Sequence, residues 1–175
     1  MPQNLWKVLV KELLTDDSSY VMELNIGNKK HKVHKTILAS KSVYFESLLQ
    51  SGHFNPENDV YGQEMKYLIQ YCYGSMEKVP PVHQIPLVKL AKMHEMNDLE
   101  CIAFQQIELT VDSFIPLVSC LSDERDCNDE KFGPFIERLV QFAVKNSRVI
   151  NKDTIQHIPI HIKDRIMLAM AHQLK

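Results

Sequence analysis

Apolar and polar positions along the chain change period several times, and each change marks an element. In "NLWKVLVKELL" (residues 4–14), Leu5, Val8, Leu9 and Leu13 fall on one stripe, with Lys7, Lys11 and Glu12 mainly off it. That spacing predicts an amphipathic helix of about three turns. Asp16, Asp17, Ser18 and Ser19 end it, and "YVMELNIG" then alternates. Met22, Leu24 and Ile26 share one face, and Glu23 and Asn25 the other, which predicts a half-buried strand. "GNKK" reads as a hairpin turn, because Gly and Asn tolerate positive φ. "HKVH" follows as a second strand with His31 and Val33 on one face.

The period then switches to helical. "HKTILAS" offers Ile37, Leu38 and Ala39 as a short buried wedge. Ser42 is placed to cap the next helix, in which Phe45, Leu48 and Leu49 recur, and Gly52 is a left-handed stop. Helices this short are marginal alone and must be clamped by packing. "NPENDVYGQ" reads as loop. "EMKYLIQYCYGS" returns to helix, burying Met65, Leu68, Ile69 and Cys72 up to Tyr73 and Gly74. Pro80 and Pro81 mark a linker, and two helices broken near "MND" follow. The first has Pro86 in its opening turn and Leu87, Leu90, Ala91 and Met93 or His94 inside. The second carries Leu99, Ile102, Ala103, Phe104 and Ile107.

Residues 109–175 read as all-helical. Phe114, Leu117, Val118 and Leu121 line one amphipathic stretch, and Phe135, Ile136, Leu139, Val140 and Ala143 another. "DERDCNDEK" is a charged loop between them, and "DRIMLAMAHQL" a last helix. With 45% hydrophobic and 24% charged residues, the 175-residue chain can bury a core, so a folded domain is expected. A net charge of -2 argues against a nucleic-acid partner, and no apolar run reaches a membrane span. The amino terminus lacks the apolar core of a signal peptide. Four cysteines (Cys72, Cys101, Cys120, Cys127) without a CxxC pair point to reduced thiols in a cytoplasmic or nuclear protein.

Catalytic chemistry finds no constellation. His157 and His161 have the spacing of two metal ligands on a helix, but Pro159 stands between them and no acid or thiol matches. Cys120 and Cys127 lie among acidic residues, which do not activate a thiol. Met65, Met93, Met96, Met167 and Met170 read as core filling. No enzyme, cofactor or metal is expected.

Three ordered motifs carry a resemblance. "HKTILASKSVYFESLLQSG" fits "HK..LA..S..F..LL..G", "DVYGQEMKYLIQYCYG" follows it, and "LVKLAKMHEMNDLECIAFQQI" is similar to "LL.LADKY.L..L...C...I". Together they resemble the BTB/POZ family across residues 20 to 108. The resemblance implies an α+β fold, a small sheet flanked by a cluster of short helices, followed by an all-helical extension. It also implies a domain at 1–108, and residues 109–175 resemble a short BACK region. A homodimer is implied through the first helix, placing Leu5, Val8, Leu9 and Leu13 at the interface together with Val21 and Lys32.

Several positions depart from the family. Val21 stands where many members carry an aspartate that meets a basic residue, here Lys32, so the charged pocket at the dimer seam is lost. His31 replaces an apolar aromatic, and the extra edge strand between Gly52 and Asp59 is expected to be truncated or missing. The family's cullin contact, an apolar residue followed two later by glutamate, becomes Phe54 and Pro56, with Glu57 one further on. Leu49, His53, Phe54 and Glu57 form the expected cullin interface. The resemblance implies a dimeric adaptor joining a cullin ubiquitin-ligase scaffold to substrates. Two alternatives stay open: a BTB homo-oligomerisation scaffold, transcriptional or cytoskeletal, that meets no cullin, and a monomeric Skp-like adaptor.

Overall fold

A computed structural model describes residues 21–51, 60–150 and 154–173. The chain divides into two compact units, Met1–Val79 with Pro86–Gln106, and Pro80–Ile85 with Ile107–Lys175.

In the first unit, strand β1 (Val21–Ile26) buries Met22, Leu24 and Ile26, as its alternation predicts. It pairs antiparallel with β2 (Lys29–His34), with Ile26 opposite Lys29. Only Gly27 and Asn28 therefore form the turn, and Lys29 and Lys30 belong to the strand. Gly27 takes a φ of 56° and Asn28 stays negative, the arrangement in which glycine comes first. On the other side of β1 lies β3 (Val60–Tyr61), parallel to it, giving the order β2-β1-β3. The segment read as loop thus keeps a two-residue strand, too short to show a period in the sequence.

Helix α1 (Lys35–Ala39) buries Ile37 and Leu38, and Ala39 is half-buried. Helix α2 (Val43–Ser51) buries Phe45, with Leu48 and Leu49 half-buried beside it. Ser42 caps it as expected: the Phe45 N–H donates to Ser42 Oγ at 3.1 Å. Gly52 lies outside the described residues. Helix α3 (Glu64–Cys72) buries Met65, Leu68 and Cys72.

Helix α4 spans Pro81–Met93, so the double proline begins a helix where a linker was expected. Pro81 stands at the first helical position, where a missing N–H costs nothing. Pro86 lies inside the helix and removes the donor that would serve the carbonyl of Val82. The Cys120 sulfur lies 3.4 Å from that carbonyl and 3.2 Å from the Pro116 carbonyl, so its single thiol proton is within reach of both.

Two helices of this unit end alike. The Ser75 N–H reaches the Gln70 carbonyl and the Gly74 N–H the Tyr71 carbonyl, with Gly74 at a φ of 65°. After α4, Met96 bonds to Ala91 and Glu95 to Lys92 in the same pattern, but the left-handed residue, at a φ of 55°, is Glu95. A side chain there costs the backbone about 1 kcal/mol relative to glycine. Glu95→Gly is accordingly expected to raise stability by about 1 kcal/mol. Urea denaturation would read this as a higher midpoint at constant slope, and no increase would contradict it. Helix α5 (Asn97–Gln105) follows, burying Leu99, Glu100 and Ala103.

In the second unit, helix α6 (Val111–Ser119) opens on a reciprocal cap between Thr110 and Ser113 and buries Phe114, Leu117 and Val118. The stretch expected as a charged loop forms a 3-10 turn at Glu124–Asn128. Helix α7 (Phe132–Lys145) buries Phe135, Ile136, Leu139, Val140 and Ala143, matching its predicted face. A second 3-10 turn (Thr154–His157) precedes helix α8 (Ile160–Gln173), which starts ahead of "DRIMLAMAHQL". His157 and His161 accordingly belong to different elements.

Candidate protein-interaction surface

Two polar joints tie the elements of the first unit together, one helix to sheet and one helix to helix. At the end of β2, the buried His34 meets Tyr73 just past α3. The backbone N–H of His34 donates to the Tyr73 hydroxyl at 2.9 Å, and His34 Nδ1 lies 2.9 Å from the same oxygen. The hydroxyl accepts from the backbone and so has its own proton to offer Nδ1. Burial raises the pKa of Tyr73 from its ordinary value, against the lowering effect of that backbone bond. Nearby, burial pushes the Cys72 thiol up to about 12, a packed and unreactive sulfur.

The second joint is Ser42 with His94. Ser42 Oγ donates to the His94 carbonyl at 2.6 Å while its oxygen caps α2, so one hydroxyl ties the start of α2 to the end of α4. The His94 ring stacks on Phe45, centroids 4.8 Å apart and planes 10° from parallel, and packs T-shaped with Tyr44, centroids 4.8 Å apart. His94 is buried, and neither ring nitrogen has a hydrogen-bond partner among the described residues. Desolvation lowers its pKa to about 4.

Beside this joint the surface turns apolar. Val43 and Met93 are 59% and 64% exposed, and Tyr44 is 38% exposed. Of the methionines read as core filling, Met65 and Met96 are buried, but Met93 and Met167 face solvent and Met170 is half-buried. Val43, Tyr44 and Met93 were absent from the expected interface. Their signal was an apolar pair on the outer side of a helix whose inner face Phe45 and Leu49 already fill.

The expected dimer pair lands on one face of the sheet. Val21 is half-buried opposite His34, and Lys32 is exposed opposite Glu23, so the two are diagonal neighbours and not a facing pair. Glu23 makes its ion pair with Lys30, at 3.1 Å. Leu49 is half-buried on α2. Leu5, Val8, Leu9, Leu13, His53, Phe54 and Glu57 lie outside the described residues. No His, Cys, Asp or Glu cluster among the described residues is grouped to hold a metal ion, and none of the described helices is long and apolar enough to cross a membrane.

The arrangement is a small sheet clamped by short helices through side-chain joints, with apolar groups left at the surface. The profile of the BTB/POZ domain family matches residues 11–109, more than half of the chain. The chain belongs to the BTB/POZ family. The match confirms the resemblance read from the three motifs and the α+β fold it implies. A BTB/POZ domain is a protein-interaction and oligomerisation module. No curated protein matches the chain.

Proposed function

We propose that this BTB/POZ protein is a dimeric adaptor that links a cullin ubiquitin-ligase scaffold to substrates. The observation that carries this reading is the exposed apolar pair Val43 and Tyr44 on α2, the helix leading into the segment of Phe54, together with the exposed Met93 at the end of α4. In this reading the groove combines Leu49, His53, Phe54 and Glu57 with that surface. Leu5, Val8, Leu9 and Leu13 form the dimer face, with Val21 and Lys32 at its seam. Residues 1–108 make the interaction domain, and 109–175 a BACK-like extension that orients the substrate. The working compartment is the cytoplasm or nucleus.

A second reading, a BTB homo-oligomerisation scaffold that meets no cullin, is favoured by one specific feature. Pro56 stands where the family's cullin contact carries glutamate. Titration calorimetry with the amino-terminal domain of the BTB-binding cullin separates the two. Micromolar or tighter binding is expected, and Phe54→Ala should weaken it by about 2 kcal/mol, the scale of a buried aromatic anchor. No heat of binding from a folded chain that light scattering shows to be a dimer would leave the scaffold reading. A monomer at micromolar concentration would overturn the dimer face in both.

A further inference from the structure

The chain is net acidic, yet residues 29–35 read "KKHKVHK", four lysines and two histidines with no acid among them. Six of these seven residues form β2, which lies at the outside of the sheet order β2-β1-β3, with no strand beyond it among the described residues. The hairpin has a two-residue turn, so Ile26–Lys29, Leu24–His31 and Met22–Val33 are the pairs that exchange ladder hydrogen bonds. Lys30, Lys32 and His34 therefore direct their backbone groups to the outer edge. The bond from the His34 N–H to Tyr73 confirms this alternation, and it closes the edge at that end.

We propose that the outer edge of β2 at Lys32 receives an extended acidic segment of a partner protein as an added strand. The two faces of the sheet set its pattern. On one face the added strand meets Lys30 and Lys32, both exposed. On the other it meets Lys29, the half-buried His31 and Val33, at the rim of the core formed by Met22, Leu24 and Ile26. The fitting sequence carries acidic residues at every second position and apolar residues between them. Lysines on an edge also repel a second copy of the same edge, so one feature rejects self-pairing and favours an acidic strand.

Two six-residue peptides of one composition test this against the full-length chain. One alternates valine and glutamate; the other has three valines followed by three glutamates. Fluorescence anisotropy and backbone amide shifts would be followed at low salt. The alternating peptide is expected to bind at least about tenfold tighter, with shifts concentrated at residues 29–34. Lys32→Pro removes an outward N–H without touching the ladder to β1, because proline is tolerated on such an edge. It should weaken binding more than Lys32→Gln, which removes only the charge. Equal binding of the two peptides, or equal loss in the two variants, would mean charge attraction alone and overturn the added strand. Absence of binding, or shifts elsewhere, would overturn the site.

Discussion

Phe45→Ala is expected to destabilise the BTB/POZ domain by about 3–5 kcal/mol, the range for truncating a buried phenylalanine. Phe45 is fully buried and stacks on His94, and it packs T-shaped with Tyr44, ring centroids 5.8 Å apart. Truncation would leave the His94 ring without its stacked partner and a void in the core. Helix α2 has nine residues and no stability of its own without this clamp. Equilibrium denaturation should show the loss, and hydrogen exchange should locate it. Amides of Glu46–Ser51 should exchange faster, while those of α7 in the second unit keep their protection. Leu49→Ala, at a half-buried site, should cost less than Phe45→Ala. A loss under about 1 kcal/mol at Phe45 would show that the helix is held by something other than this ring. Because α2 leads directly into the Phe54 segment, the same substitution should also weaken any partner bound there.

Residues with an obvious periodic role were legible in the sequence, and those whose role depends on a distant partner were not. Alternation placed Met22, Leu24 and Ile26 correctly, and the serine before an apolar helix identified the Ser42 cap. The double proline misled, because Pro80 and Pro81 look the same whether they end a helix or begin one. Nor could the sequence show that the Val82 carbonyl, deprived of its donor by Pro86, would lie within reach of a thiol 38 residues away. The same limit applied to the surface. Met93 closes α4 and His94 follows it, and hydropathy favours burying the methionine; the structure buries the histidine, because Phe45 and Tyr44 supply aromatic partners for its ring. The apolar patch beside it was hidden by that reversal.

That buried histidine should make the domain acid-sensitive. With its pKa lowered to about 4 in the fold and near 6.5 once unfolded, His94 takes up a proton more readily in the unfolded chain. The unfolded state then binds more protons between those values, and stability rises with pH across the window. The contribution is fully present above pH 6.5 and is lost as pH falls toward 4. A shift of this size corresponds to about 3 kcal/mol. Carboxylates also titrate near pH 4, so the decisive quantity is the difference between the chain and His94→Phe. That variant keeps a stacking ring and removes two nitrogens without hydrogen-bond partners among the described residues. Its stability relative to the parent should improve steadily from pH 7 to 4, by about 3 kcal/mol in total, whatever the offset at pH 7. Parallel pH profiles would mean that His94 finds a partner for its proton in the fold. The stacked joint would then tolerate a charge, and acid would leave the seat of α2 and the apolar surface beside it intact.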